Sequence, residues 1–234
     1  KGDYEKAYEI DPENSLFDYR RGLQLLKQGD AKQSVEFLKK AAAKDSKNAD
    51  VMKKLIQAQT AARDYQNALG SLKRAQELAP DDKSLKVLEG DLLLGQRKYS
   101  DARKIYQSLT KKDGADVFAK AQIGISSSYR ESGDGAKSVS FMQETMENAS
   151  SATGKRTEAK MWEELGRAFE SIRSRDQARQ AYEACIDIYN QYANCHCRLA
   201  LAIGRGGEAV QAAKACQRVD PRGPLAPQMD RFIR

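Results

Sequence analysis

Four cysteines and the only histidine of the chain fall within 32 residues: Cys185, Cys195, His196, Cys197 and Cys216. Thiols and an imidazole this close could bind a metal, carry redox chemistry or form disulfides. The spacing C-x9-C-H-C-x18-C lacks the paired C-x2-C knuckles of structural zinc sites, and it also lacks the C-x-x-C-H pattern that attaches haem. No metal or cofactor is therefore expected. Catalysis by His196 would need a nucleophile or carboxylate set around a cleft, and no motif marks one. The run Gly204-x-Gly206-Gly207 resembles a phosphate loop only superficially. It has no Lys-Ser/Thr ending and follows a helical stretch rather than a strand, so it reads as a tight turn between helices. Free buried thiols and two disulfides remain open for the cysteines; the first fits a cytoplasmic chain, the second an extracytoplasmic one.

The elements that must position these residues are helical. Ala, Leu, Lys, Glu, Gln and Arg dominate, and only five prolines occur in 234 residues. Charged residues make up 31% and hydrophobic residues 40%, a balance that suits a folded, well-solvated chain. No apolar window approaches a membrane span. The formal charge is +7, and the stretch from Gly154 onward carries 14 basic against 10 acidic residues. No block of five or six like charges exists and no aromatic platform accompanies a basic stripe. Nucleic acid is not expected as a partner; a moderately acidic protein fits better.

Position classes recur every 34 residues. Pro12, Ser46, Pro80 and Gly114 each follow a helical stretch. Gly22, Ile56 and Gly90 keep the interval within the preceding helices; so do the small residues Ser34, Ala68 and Ala102, and the large residues Leu38, Leu72 and Tyr106. Each period predicts two antiparallel helices, turning at Gly29-Asp30, Arg63-Asp64 or Arg97-Lys98. Small residues let the helices approach and large ones fill the space between pairs.

The unit Trp162, Leu165, Gly166, Phe169, Ala178 and Tyr182, with Cys185 in the next small position, resembles the tetratricopeptide repeat, W-x2-L-G-x2-Y…A-x3-F. Asp11-Pro12 and Asp220-Pro221 look like the closing dipeptide of that family. The resemblance covers nearly the whole chain and implies an all-α, right-handed α-solenoid of about six helix pairs. Residues 1–12 are expected to be the end of a truncated preceding repeat, 13–221 the array, and 222–234 a tail or capping helix. Insertions are expected near Lys111–Asp116 and Ala149–Lys155, with the array continuing across the second. The fourth pair is expected from about Val117 to Asn148, with Ser126 and Ser138 as its small partners.

In this register Cys185 faces the start of the next helix, where Cys195 sits, and Cys197 and Cys216 share one pair. Cys185–Cys195 and Cys197–Cys216 are thus the two disulfides that could form. His196 takes the place of Trp162 in the next repeat and is expected to pack as a structural imidazole.

The resemblance also implies a non-catalytic scaffold, since first helices of the family line a concave groove that holds a partner. On this chain the matching places are Tyr19, Leu23, Leu26 and Lys27, then Lys53, Gln57 and Thr60, then Val87, Asp91 and Leu94. Later pairs contribute Lys120, Ile123, Ser127 and Arg130, followed by Glu163, Arg167 and Glu170. Leu23, Leu26, Val87, Leu94 and Ile123 are expected as an apolar strip bordered by Lys and Arg, suited to a peptide or amphipathic helix with acidic flanks. Lys53 and Gln57 match the family's clamp for chaperone tails only faintly, and Asp91 would repel a carboxylate there. The alternatives are a self-assembling subunit of a larger bacterial-type complex, associating through its terminal repeats, and an accessory region of a longer multidomain protein.

Overall fold

The computed structural model describes residues 14–148 and 154–233. The expected end of a preceding repeat at 1–12 and most of the Ala149–Lys155 insertion lie outside the described residues. Thirteen α-helices and no strand occur among the described residues. They are α1 Ser15–Lys27, α2 Ala31–Lys44, α3 Ala49–Ala61, α4 Tyr65–Leu78, α5 Ser84–Gly95, α6 Tyr99–Gln107, α7 Ala115–Glu131, α8 Gly135–Glu147, α9 Lys155–Ser171, α10 Arg175–Ile188, α11 Ala193–Ile203, α12 Gly207–Val219 and α13 Ala226–Ile233.

The turns explain why each helix stops where it does. Gly29, Arg63, Arg97, Gly133 and Arg173 all have positive φ, between 60° and 92°. One residue later, an amide reaches back five residues: Asp30 N to Leu25 O at 3.0 Å, Asp64 N to Gln59 O at 2.8 Å, Asp134 N to Tyr129 O at 2.9 Å and Ser174 N to Phe169 O at 2.9 Å. This bond satisfies carbonyls that the helix end would otherwise leave free. Asp30 and Asp134 then cap the following helix, their carboxylates accepting from Gln33 N at 3.1 Å and Lys137 N at 3.2 Å.

The chain divides into two compact units between Gln96 and Arg97. In the first, α1 and α2 pair, as do α3 and α4, and α3 also packs on α2 and α5. Leu38, Ile56, Leu72 and Leu85 are buried in one core. The approach is close enough that a Cβ on Gly22 would stand 2.6 Å from Leu38. Ser34 donates its hydroxyl to the Gly22 carbonyl at 2.8 Å, so even the polar member of this small pair is satisfied.

In the second unit α7 pairs with α8, α9 with α10 and α11 with α12, and each pair packs on the next. The expected partners Ser126 and Ser138 meet, their hydroxyl oxygens 2.8 Å apart. A Cβ on Gly124 would stand 2.3 Å from the Tyr106 ring, and one on Gly166 would stand 2.4 Å from the Tyr182 ring. The fourth pair starts at Ala115, two residues earlier than expected. The two-residue displacement upstream is taken up by a 3-10 turn at Lys111–Asp113, where the Asp113 carboxylate accepts from Thr110 N at 2.8 Å and Gly114 adopts φ +107°. Helices α8 and α9, either side of the Ala149–Lys155 segment, pack directly on each other.

All four cysteines are in disulfides. Cys185–Cys195 joins α10 to α11 and Cys197–Cys216 joins α11 to α12, with Cα separations of 6.2 and 5.0 Å. His196 sits half-buried between them, its Nε2 2.9 Å from the Asn190 carbonyl oxygen. Helix α13 buries Met229 against α11 and α12, covering an apolar face of that pair.

Three comparisons by urea unfolding test this packing. Gly166→Ala should cost about 2 kcal/mol or more in urea unfolding, because the new methyl overlaps a buried ring. Gly70→Ala, with nothing within 4 Å of its Cβ on the exposed side of α4, should instead stabilise by about 0.5–1 kcal/mol. Reduction of the disulfides, which close segments with sequence separations of 10 and 19, should lower stability by about 2–3 kcal/mol for each bond. Identical urea curves with and without reductant would contradict it.

Candidate functional site

A helix that packs through one stripe must present another outward. The first helix of each pair does so with the residues singled out in the sequence, and the two units present different surfaces.

In the first unit α1 carries Tyr19, Leu23 and Leu26 half-buried and Lys27 exposed. Tyr19 and Leu26 lean on the core formed by α2, α3, α4 and α5. Lys53 is held between Asp50 at 2.7 Å and Asp82 at 2.9 Å. Burial pulls its ammonium down, but the hydrogen bonds to the two carboxylates outweigh this and its pKa ends raised. Gln57 accepts from Lys54 at 3.2 Å, and Thr60 turns its hydroxyl inward. On α5, Asp91 and Leu94 are half-buried, whereas Val87 is only 6% exposed. Val87 therefore belongs to the core, because α5 turns that side against its neighbours, and the apolar strip of this unit narrows to Leu23, Leu26 and Leu94.

The second unit presents charge. On α7, Lys120 pairs with Asp116 at 2.5 Å, Ile123 leans on the core, and Ser127 is buried at 7% exposure. Ser127 therefore offers little to a partner. Arg130 reaches Glu164 on α9 at 2.9 Å, and Arg167 closes on the same carboxylate at 3.2 Å. Glu163, also nearly buried, accepts from Arg198 on α11 at 3.1 Å, from Asn194 at 3.4 Å and from the Tyr192 hydroxyl. Burial, then the Glu163 charge, push the Tyr192 phenol well above its ordinary range, so it stays a donor. Arg198 also reaches Glu170 at 3.5 Å. Asp116 accepts from Thr157 at 2.6 Å; burial alone would raise its carboxyl, but the bonds from Lys120 and Thr157 outweigh this and lower it.

These contacts join α7, α9 and α11 side by side. Their centre includes residues not singled out in the sequence: Lys160, Glu164, Tyr192, Asn194 and Arg198. A signal was present. Arg156, Lys160, Glu163 and Arg167 step by four, three and four residues, one face of a helix, and Asn194 and Arg198 lie 34 residues after Lys160 and Glu164.

The opposite side of α9 floors a cavity of about 420 Å³ between α8 and α10, with Trp162, Leu165 and Phe169 below and Gln143 and Gln180 at its rim. Trp162 is thus shared between packing and this opening.

Tetratricopeptide repeat models match residues 19–83, 59–123 and 159–192. No curated protein shows a significant sequence match to the chain. Solved structures similar in fold include a thermophilic tetratricopeptide repeat protein in Thermus thermophilus, 12% identical, with a TM-score of 0.63 over 82% of this chain and 100% of that one. A tetratricopeptide repeat protein from Parabacteroides merdae is 13% identical, with a TM-score of 0.60 over 97% and 90%. The hetero-tetramer Cut9-Hcn1 of the APC/C gives 14% identity and a TM-score of 0.57 over 97% of this chain, which spans 44% of that chain. At these identities the likeness concerns the fold.

The charge network yields a stability test. Glu164 is 2% exposed between two guanidiniums, so Glu164→Gln should cost about 3 kcal/mol by leaving Arg167 without its carboxylate and Arg130 with Glu131 alone. Lys120→Ala removes a pair 42% and 54% exposed and should change stability by less than about 1 kcal/mol. Equal losses in urea titration would refute the distinction.

Proposed function

The chain belongs to the tetratricopeptide repeat family, and from that premise we propose that it is a non-catalytic module whose first-helix faces receive a peptide or helix of a partner protein. Members of this family generally mediate protein–protein interaction. The observation that carries the finer reading is the projection of side chains from the first helices in stripes one turn apart. In the first unit Leu23, Leu26 and Leu94 are half-buried, Lys27 is exposed, and the Lys53 ammonium is held by Asp50 and Asp82. Such a surface favours apolar side chains of a bound segment and fixes their flanking charges. Because the stripes sit on packed helices, little backbone freedom is lost on binding. No helix among the described residues is long and apolar enough to cross a membrane.

Paired cysteines support work in an oxidising compartment, where such bonds persist.

Selection of 16-residue peptides from a random display library tests the reading. Selected peptides should bind the double variant Leu23→Glu, Leu94→Glu at least tenfold more weakly, with its melting temperature within about 3 °C of the parent. Unchanged affinity would remove these faces of the first unit from the site, and no enrichment at all would remove the binding role.

A further inference from the structure

The stripe on α9 contains two cations without direct partners. Among the described residues, neither Arg156 nor Lys160 makes a hydrogen bond or ion pair, although Lys160 is half-buried. The carboxylates nearby are engaged elsewhere. Asp116 is held by Lys120 at 2.5 Å and by Thr157 at 2.6 Å, and Glu163 is held by Arg198, Asn194 and Tyr192. Lys160 is thus near two satisfied carboxylates, Asp116 on α7 and Glu163 on its own helix, with Arg156 one turn away on α9.

Resting on the reading of the first-helix faces above, we propose that Lys160, flanked by Arg156 and Lys120, is the receptor for one side-chain carboxylate of an acidic segment in the partner protein. A half-buried cation with no direct hydrogen-bond or ion-pair partner is unfavourable in the free protein, and an arriving carboxylate relieves that cost. Burial, then Arg156, then Lys120 hold the Lys160 ammonium below the usual lysine range, consistent with the same under-compensation. Arg156 and Lys120 disfavour its ammonium, while Glu163 and Asp116 favour it, each of these acids being bonded to other donors. A Glu or Asp side chain of a peptide supplies a carboxylate not committed to other donors, suited to a charge-assisted hydrogen bond from the ammonium. Arg198, Tyr192 and Asn194 hold the Glu163 carboxylate, and Lys160 is not among its hydrogen-bond partners.

The test uses a fluorescein-labelled, C-terminally amidated 15-residue peptide of Leu-Glu-Glu repeats, its Leu-Gln-Gln counterpart, and the latter with a free C-terminal carboxylate. At low salt the Glu peptide should bind at least tenfold tighter than the amidated Gln peptide. Lys160→Met should erase that advantage, leave Gln-peptide binding unchanged and keep the melting temperature equal or higher. Lys214→Met, on the exposed side of α12, controls for net charge and should retain the advantage. An advantage that survives Lys160→Met, or falls equally with Lys214→Met, overturns the proposal, as does a lowered melting temperature for Lys160→Met, the mark of a structural cation. A Lys160-dependent gain from the free C-terminus alone would assign the site to a chain end instead. If Glu and Gln peptides bind equally, the carboxylate receptor falls while peptide binding stands; if none binds, both fall.

Discussion

Close approach of two helices at a small residue is the constraint on which this structure rests. Where Gly22, Gly124 and Gly166 stand, the neighbouring Leu38, Tyr106 and Tyr182 occupy the volume a side chain would need. The gain is a dense core made from short helices, each too short to be stable alone in water. The requirement is also local. A small residue and its large partner fall 16 residues apart in Gly22–Leu38 and Gly166–Tyr182, so each hairpin fixes itself and offers the next a fresh apolar face. Polar members of these contacts are admitted only when satisfied, as Ser34, Ser126 and Ser138 are through bonds across their hairpins.

The same packing sets the electrostatics of the outward faces. In the second unit, first helices brought side by side place Arg130 against Glu164 and Arg198 against Glu163. Those acids are nearly buried, and a buried carboxylate is tolerable only with partners of opposite charge and hydrogen-bond donors. Each is bound by more than one donor. The first unit solves a different problem, leaving leucines half-covered and confining Lys53 between two aspartates. Both arrangements use rigid helices to hold charge or apolar area in place before any partner arrives. The fold therefore explains how binding would be achieved, while the partner's chemistry must be read from individual side chains.

The helix pairs, their turns and the small-to-large contacts were legible in the sequence because they arise from neighbours a fixed interval apart. The turns Gly29-Asp30 and Gly133-Asp134 show their left-handed glycine and capping aspartate directly. Arg63, Arg97 and Arg173 take the same left-handed conformation without a glycine, and only the repeat interval betrays the first two. The shared register also placed Cys185 opposite Cys195, and Cys197 in one pair with Cys216. The insertion near Lys111–Asp116 was legible in the sequence, but the 3-10 turn that forms it was not, since it depends on Thr110 and Asp113 closing a local ring of bonds.

Burial of individual groove positions was decided by tertiary structure. Val87, Ser127 and Glu163 occupy places that face outward in a regular pair, yet neighbouring helices cover them here. Side-chain pairing was likewise hidden, because Glu163 can reach Arg198, Asn194 and Tyr192 only after α9 and α11 have packed side by side. Local spacing determines which residues share a helix face. Whether that face meets solvent, an opposite charge or another helix depends on the angle and separation of the packed neighbours, and those are settled only when the core closes.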